Sequence, residues 1–362
     1  METWFLFLLT ISISLLLKAF LNLFYPSKKL LHTLPPGPAT FPIIGGILWL
    51  RKSFFQIEPI LRDLRPKLGP MVTINIGPRP TIFVFDRSLA HQALVQSGSL
   101  FSDRPKALPT NKIMNTNQHS ISSAFYGPTW RLLRRNLTSE ILHPSRIKSY
   151  SHARKWVLEI LFDGLQLKAN TGEAVQVLAQ FKYSMFCLLV LMCFGDKLSQ
   201  DQIKEIEAVQ QRVLLGFGRF NILNFWPRVT KVLLQDTVLG GFLVPKNGTV
   251  NFMVADMAWD PKVWEDPMAF KPERFLRSDD SSGEVFDITG SREIKMMPFG
   301  VGRRICPGIG LALLHLEYFV ANLIWKFEWK AIDGDEISLE EKQEFTTVMK
   351  TPLRAHMSPR ER

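Results

Sequence analysis

The sequence predicts a mainly α protein with small β elements, and three observations support that fold class. Apolar residues recur at helical spacing in several long stretches. Alternating, strand-like runs are short and are bounded by glycine and proline. The 362 residues, of which 46% are hydrophobic and 21% charged, have the composition of a globular protein that can bury a sizeable core.

The first 25 residues are predicted to form a membrane anchor. Thr3 to Phe24 is almost entirely apolar, and about 20 such residues cross a bilayer as a helix. A cleavable signal peptide is the alternative, but it would normally have a basic start and a shorter apolar core. Lys28 and Lys29 follow the apolar run, which predicts that the body lies on the cytosolic side.

Residues 26–46 are predicted to form a proline-rich hinge. Pro35-Pro36-Gly37-Pro38 cannot continue a helix, so we expect a stiff, extended spacer between anchor and body. The body then divides into a helical part with a small β hairpin, 47–235, and a part with a β segment and the last long helix, 236–362.

The helices and strands of the body follow from periodicity and turn residues. Helices are predicted over Arg51–Lys67, Ser88–Gln96, Trp130–Leu142, Ser145–Ala169, Ala174–Phe194, Gln200–Leu215 and Pro307–Trp325. Strands are predicted at Met71–Ile76, Thr81–Phe85 and within Val238–Phe252; Ser97–Ser123 is predicted to be a long loop, Ala258–Ser291 a coil, and the residues after the last helix a polar tail.

Charge and cysteine content restrict the partners and the compartment. The net charge of +11 favours an acidic protein, an anionic membrane or nucleic acid. The chain has no zinc-finger spacing and no long basic arm, so we expect no nucleic acid. Cys187, Cys193 and Cys306 show no disulfide spacing, which favours a reducing compartment. Cys187 and Cys193 lie in an apolar helix and are interpreted as packing residues.

The segment from Pro298 to Gly308 carries the clearest chemical signal. Its glycines permit a tight loop at which the backbone can approach a flat ligand. Cys306 precedes a helix predicted to begin at Pro307, and the positive end of a helix favours a thiolate. Arg304 could offer a cation to an acidic group at the edge of the ligand. The alternative is an inert, buried cysteine.

The pattern Phe-x-x-Gly-x-Arg-x-Cys-x-Gly, matched at Phe299, Gly302, Arg304, Cys306 and Gly308, resembles the haem-binding signature of the cytochrome P450 family. Its form is usual for plant microsomal members, and the nearest likeness is to the plant subfamily numbered eighty-nine. The resemblance implies haem b with Cys306 as the iron ligand. In this family the thiolate ligand promotes O–O cleavage. It also implies electrons from NADPH through the acidic flavoprotein NADPH–cytochrome P450 reductase, a small apolar substrate, and the endoplasmic reticulum membrane.

Two further segments agree with this family. Trp130-Arg131-Leu132-Leu133-Arg134 resembles the helix whose Trp and second Arg hold a haem propionate, so Trp130 and Arg134 inherit that role. Residues 270–275 resemble the meander, whose arginine, here Arg274, belongs to an ion-pair network. Arg131, Arg134, Arg135, Arg303 and Arg304 form a basic set, which is either the surface that docks the reductase or a solvated run of charge.

Two family signatures are absent from the sequence. One is the glycine–acid–threonine stretch of the long helix over the oxygen face of the haem, and the other is Glu-x-x-Arg, the partner of Arg274. We therefore expect a P450-like fold that lacks both helices, with an internal deletion near Gln235. Arg274 is expected to be a buried, unpaired cation, which would cost about 3–5 kcal/mol. No residue is assigned as catalytic.

Two functions remain open from the sequence. The first is a reductase-dependent monooxygenase whose activity is compromised by the missing centre. The second is a non-catalytic, membrane-anchored haem binder or a partly folded remnant. Asp236 and Thr237 do not replace the missing acid–threonine pair, because they open a strand-like segment. His119 and His315 are interpreted as ordinary loop and helix residues, not ligands.

Overall fold

The computed structural model describes residues 2–24, 33–38, 49, 54–76, 79–107, 112, 115–216, 236–246, 248–275, 286–334, 337–343 and 347–360. The chain forms two compact units, and each is built from two stretches. Unit 1 comprises Met1–Ser102 and Lys231–Arg303, and unit 2 comprises Asp103–Thr230 and Arg304–Arg362. The mainly α class with small sheets is confirmed. The predicted division of the chain into an anchor, a hinge and two parts of the body stays a prediction. Gln235, near which the internal deletion is predicted, lies outside the described residues.

Unit 1 combines short helices with two small sheets. Its elements are α1 (Glu2–Phe24), α2 (Phe54–Leu68), β1 (Met71–Ile76), β2 (Arg79–Val84), α3 (Arg87–His91), a π-helical turn at Gln92–Gln96, β4 (Thr237–Leu239), β5 (Phe242–Val244), β6 (Thr249–Phe252), α9 (Val254–Ala258) and a 3-10 turn at Pro272–Phe275.

The three-stranded sheet of unit 1 has the order β1-β2-β6. β1 and β2 form the predicted antiparallel hairpin, with Thr73 opposite Ile82, and β6 joins β2 in parallel. Val72 and Phe83 pack against Leu61 of α2 in one core cluster. Because β1 and β2 are buried on both faces, their apolar runs are nearly continuous.

The described part of the hinge, residues 33–38, is hydrogen-bonded to both sheets of unit 1. The Thr73 N–H donates to the Pro36 carbonyl at 2.9 Å, and the Leu243 N–H donates to the Thr33 carbonyl at 2.9 Å. A Cβ at Gly37 would lie 2.2 Å from the Thr73 carbonyl oxygen, so only glycine permits this approach. These residues therefore dock along the outer edge of β1, and the assignment of residues 26–46 as the spacer between anchor and body stays a prediction.

Unit 2 is a helical core with two small sheets. Its elements are α4 (Pro128–Asn136), a π-helical turn at Leu137–Ile141, α5 (Pro144–Ser149), α6 (Ser151–Asn170), β3 (Val175–Gln176), α7 (Val177–Phe194), α8 (Gln200–Gly216), α10 (Ile309–Lys326), β7 (Phe327–Ala331), β8 (Glu341–Gln343), β9 (Thr347–Met349) and β10 (Arg354–Pro359).

Helices α6, α7 and α10 pack together in the main core of unit 2. Leu161 of α6, Leu188 of α7 and Phe319 of α10 are all buried in one cluster. The rings of Phe181 and Phe319 meet edge to face, with centroids 5.6 Å apart. Such aromatic contacts add about 0.5–1.5 kcal/mol each beyond the burial of area. The helix that follows the cysteine loop is thus fixed by the unit's own core.

Two predicted helices differ from the helices in the structure, one by a break in its middle and one by a later start. The predicted helix Ser145–Ala169 is two helices, α5 and α6, because Tyr150 leaves the helical region between them (φ −81°, ψ 15°). The predicted helix Ala174–Phe194 starts later, since Val175 and Gln176 form β3 and pair with β10. Long-range strand pairing overrides local helical periodicity at this point.

The polar tail after the last helix contains strands that the sequence did not predict. β7 and β10 pair antiparallel with Ala331 opposite Ala355, and β8 pairs with β9. Along β10 only Ala355 and Met357 are buried. Two apolar residues separated by polar ones are too short an alternation to reveal a strand from sequence.

Three helices bear on membrane association. Phe7–Lys18 of α1 is apolar, and α1 as a whole, at 23 residues, is about 35 Å long. Among the described residues, Val177–Phe194 and Ile309–Lys326 are also long and apolar enough to cross a membrane. Those two helices contribute Leu188 and Phe319 to the core of unit 2, as core helices of globular proteins do.

Candidate functional site

The glycine-rich part of the cysteine loop belongs to unit 1 and has a steric explanation. Gly302 has φ +79°, and a Cβ there would lie 2.2 Å from the carbonyl oxygen of Leu94. Leu94 lies in the π-helical turn Gln92–Gln96. Both the left-handed conformation and the close approach require glycine. Phe299, the first signature residue, is partly buried in the same unit.

Cys306 and Gly308 belong to unit 2. The helix after the cysteine starts at Ile309 with Gly308 as its N-cap, and not at Pro307 as predicted. The Ala312 N–H donates to the Gly308 carbonyl, which closes the first helical turn. A Cβ at Gly308 would make ordinary contact with the Cys306 sulfur at 3.8 Å. The structure therefore explains Gly302 by sterics, but it gives Gly308 no comparable requirement.

Trp130 is the centre of the basic group in unit 2. Its side chain is 6% exposed, and its indole N–H donates to the Ile121 carbonyl at 3.1 Å. The guanidinium of Arg304 lies 4.9 Å from the ring centroid and that of Arg134 lies 6.0 Å from it. Trp130 thus contacts two cations that the sequence placed far apart.

Burial and repulsion act on these arginines. Burial lowers the pKa of Arg304 to about 10, and repulsion from Arg104 and Arg134 adds to that effect, against attraction by Asp103 and Tyr126. Burial also lowers the pKa of Arg134, while the nearby Cys306 sulfur opposes the shift. Three guanidiniums therefore share one partly buried region close to a candidate thiolate.

Asp103 and the Ala124 carbonyl in this region already form hydrogen bonds within the protein. Asp103 accepts hydrogen bonds from the N–H groups of Arg104 and Tyr126, both at 2.9 Å. Arg304 donates to the Ala124 carbonyl at 2.6 Å. A flat ligand with carboxylates at its edge suits this surplus of cations, because charge-assisted hydrogen bonds to guanidinium are strong. Asp103 and Arg104 were missed from sequence, since they lie in the aperiodic loop Ser97–Ser123.

A metal ion in this region would have to be held by a cofactor that supplies most of its ligands. Over the part of the chain that the structure describes, no three His, Cys, Asp or Glu side chains come together to hold an ion. A porphyrin supplies four nitrogen ligands to its iron and requires only one axial ligand from the protein. The donor set, with one cysteine beside several cations, fits haem b.

Arg274 is not the unpaired buried cation that the sequence predicts. Its Nε donates to the Lys271 carbonyl at 3.1 Å, and one terminal nitrogen donates to the carbonyls of Asp266 and Ala269 at 3.1 and 3.2 Å. The residue is only partly buried, and its guanidinium lies 5.8 Å from the ring centroid of Trp264. Backbone carbonyls thus replace the missing carboxylate, and the penalty of 3–5 kcal/mol does not apply.

Two other residues differ from the sequence interpretation. Cys193 is exposed at the end of α7, so it is not a packing residue as Cys187 is. His315 is buried in unit 2, and its Nε2 has no hydrogen-bond partner among the described residues. Burial, with repulsion from Arg154, lowers the pKa of His315 to about 4. His315 is therefore a neutral core residue with an unsatisfied ring nitrogen.

Comparison with known proteins agrees with this geometry. The cytochrome P450 family model matches residues 35–234 and 222–358. The chain is 39% identical to cytochrome P450 89A9 of Arabidopsis thaliana, over 91% of this chain and 94% of that protein. It is also 24% identical to 5-epiaristolochene 1,3-dihydroxylase of Nicotiana tabacum, over 97% of each chain, and 23% identical to geraniol 8-hydroxylase of Swertia mussotii, over 94% and 96%.

The chain belongs to the cytochrome P450 family, and the relatives named above are plant proteins. Proteins of this family are haem-thiolate monooxygenases, with haem b held by a cysteine thiolate and electrons supplied from NADPH by a reductase. The prediction of the cofactor and of the family is confirmed.

The chain is internally shorter than its relatives. Its alignment with cytochrome P450 89A9 extends over 483 positions, 121 more than the 362 residues of the chain. The two parts of the family match meet at residues 222–234. Both findings agree with the predicted deletion near Gln235.

Proposed function

We propose that this chain binds haem b with Cys306 as the axial ligand and that it has lost efficient monooxygenation. The observation that carries the first part is the group of guanidiniums at Trp130, in the same unit as Cys306. Without an anionic ligand, like charges gather there in a partly buried region, which is unfavourable. The two propionates of haem supply the missing negative charge.

Each signature residue then has a role. Arg134 and Arg304 hold the propionate edge through guanidinium N–H donors, Trp130 positions these two arginines with its ring, and the Cys306 thiolate ligates the iron. Gly302 allows the loop to turn, and Phe299 and Gly308 complete the loop by family likeness. When bound, haem supplies an iron that accepts electrons and reacts with O₂. The protein positions this group and limits its contact with water.

Carbon monoxide binding to the reduced protein tests the ligand. We expect the purified chain, reconstituted with haem, to show the red-shifted Soret band typical of thiolate ligation. Cys306→His should abolish that shift. Cys193→His is the matched control, because Cys193 is exposed on α7 of the same unit, and it should leave the band in place. A wild-type band in the Cys306 variant would refute the assignment.

The loss of activity is proposed from the missing positions. The sequence lacks the glycine–acid–threonine stretch that delivers protons at the oxygen face, and a site open to water favours side reactions. We expect the electrons taken from NADPH to reduce O₂ to peroxide or water, with little oxidation of the substrate. The assay compares NADPH use with product from 7-ethoxycoumarin, a small apolar probe, for this chain and for a chimera that carries the central segment of cytochrome P450 89A9 at the seam. Equal coupling in both proteins would refute the proposal.

The membrane arrangement is also proposed. α1 is the single anchor in the endoplasmic reticulum membrane, the body lies on the cytosolic side, and the exposed Arg131 and Arg135 of α4 contribute to docking of the acidic reductase. Asn136 tests the orientation, because it is an exposed glycosylation sequon. It should stay unmodified in microsomes. A glycosidase-sensitive mass that disappears in Asn136→Gln would place the body in the lumen. The second sequon, at Asn247, lies outside the described residues.

A further inference from the structure

We propose that unit 1 contains a site for a small organic anion, with a carboxylate carried on a flat apolar body. A cavity of about 300 Å³ lies beside the 3-10 turn that contains Arg274, and it is open to solvent. That volume is at the lower end of the range of about 300–1,000 Å³ for small-molecule sites. The lining has a cationic part, with Lys271, Arg274 and Lys295, and an apolar part, with Trp264 and Phe286.

Positive charge prevails among the side chains of this lining. Lys271, Arg274 and Lys295 are cations, and Glu265 is the one carboxylate among the residues that line the cavity. Asp266 lies outside the lining and pairs with Lys271 at 3.5 Å, but both side chains are largely exposed, and such a pair is weak. Lys295 forms no ion pair within the part of the chain that the structure describes. Even with Asp266 counted, the cations outnumber the carboxylates, so the cavity favours an anion.

Arg274 is held in place before any ligand binds. Its Nε and one terminal nitrogen donate to three backbone carbonyls, those of Lys271, Asp266 and Ala269. The other terminal nitrogen has no hydrogen-bond partner among the described residues, and its N–H groups can donate to a carboxylate. Arg274 is only partly buried and lines the cavity, so a solute can reach it. A guanidinium fixed in this way loses little conformational freedom on binding.

A cluster of aromatic rings forms the apolar wall. The ring centroid of Trp264 lies 5.7 Å from that of Phe286 and 5.5 Å from that of Phe275. The Trp264 indole N–H donates to the Lys295 carbonyl at 3.4 Å. The wall thus connects the turn to the segment that leads into the cysteine loop. A ligand with a flat apolar body can pack on this wall while its carboxylate meets Arg274.

The two parts of the lining together define the ligand class. An inorganic ion such as phosphate meets the cations but leaves the aromatic wall in contact with water. A neutral aromatic molecule covers the wall but leaves the cations without a counter-charge. An aromatic carboxylate meets both conditions, and benzoate is the simplest example. Since the lining belongs wholly to unit 1, the site is independent of Cys306 and of haem.

Isothermal titration calorimetry on the full chain in lipid nanodiscs tests the site, with sodium benzoate as the probe. We expect saturable binding at low salt. Benzyl alcohol, which has no charge, and phosphate, which has no apolar body, should each bind about tenfold more weakly. Lys295→Gln should weaken benzoate binding about threefold to fivefold, and Glu265→Gln should tighten it by a similar factor, because they remove a cation and a carboxylate from the lining. Opposite effects of these two exposed positions cannot arise from a general loss of folding.

Two controls locate the binding. Lys262→Gln is matched to Lys295→Gln, because Lys262 is an exposed lysine of unit 1 outside the lining, and it should stay within about twofold of the wild type. Arg304→Gln tests for binding at the cations around Trp130 and should leave the affinity for benzoate unchanged. The proposal is overturned if benzoate does not bind, if phosphate or benzyl alcohol binds as tightly, or if Lys295→Gln behaves like Lys262→Gln. It is also overturned if Glu265→Gln weakens binding, or if Arg304→Gln weakens it, which places the anion at Trp130.

Discussion

Arg274 in unit 1 and Arg304 in unit 2 occupy family-typical positions but are satisfied in different ways. Arg274 donates to three backbone carbonyls of the residues that precede its turn. Arg304 lies beside Trp130 and is repelled by Arg104 and Arg134. Backbone carbonyls can thus replace the carboxylate partner that Arg274 lacks. The cluster of cations around Arg304 is instead stabilised most by binding an anionic ligand. We therefore propose that the first arginine supports the fold and that the second prepares a binding site.

The largest expected effect separates the two roles at Arg304. Arg304→Gln should weaken haem binding 10- to 100-fold, because a charge-assisted contact to a propionate is lost. Stability without haem should change by no more than about 1 kcal/mol, since relief of repulsion offsets the lost bond to Ala124. Haem titration and urea unfolding measure the two quantities. Arg303→Gln, the exposed neighbour, is the control, and equal loss of haem in both variants would contradict the assignment.

Arg274 should show the opposite pattern. Arg274→Met removes the donors to three carbonyls and should lower the free energy of unfolding by about 2 kcal/mol. Haem affinity, measured on the folded fraction, should change less than about threefold. Lys271→Met is the control, because the Lys271–Asp266 pair is largely exposed and contributes little. If stability is unaffected in Arg274→Met, the backbone bonds are not what supports this turn.

His315 extends the comparison to a buried base whose Nε2 has no hydrogen-bond partner in the part of the chain that the structure describes. Its pKa is about 4 in the folded chain, below the ordinary value of 6.5. The unfolded chain therefore takes up a proton first on acidification, so stability is complete above about pH 6.5 and falls towards pH 4. The loss should be about 3 kcal/mol. His315→Leu should remove this part of the pH dependence, and His152→Leu, at an exposed position on α6, should retain it.

The smallest effect concerns salt. Repulsion among Arg104, Arg134 and Arg304 should be screened by sodium chloride, so the haem-free chain should gain about 0.5 kcal/mol between low salt and 0.3 M. Arg104→Gln should reduce that gain. Urea unfolding at several salt concentrations measures it, with exposed Arg146→Gln as the control. A gain that is equal in all three proteins would mean that screening acts elsewhere.

The sequence predicted those features that depend on neighbouring residues. The cysteine loop, the β1–β2 hairpin and the helical periodicity of α7 are local, and each was found. The surroundings of Trp130 were only partly foreseen, because Arg104 is brought to it by an aperiodic loop. The docking of the hinge on Thr73 and the strand β10 were missed, since both depend on partners distant in the chain.

The discontinuous make-up of the units has a consequence for synthesis. The β1–β2 hairpin leaves the ribosome early, but Thr81 pairs with Thr249 in β6, and that strand is made much later. At about 5–20 residues per second, the wait is on the order of ten seconds or more. Unit 2 waits in the same way for β10, which pairs with β3. During that time apolar strand edges are open to other chains. The yield of folded protein should therefore depend on chaperones and on the rate of translation.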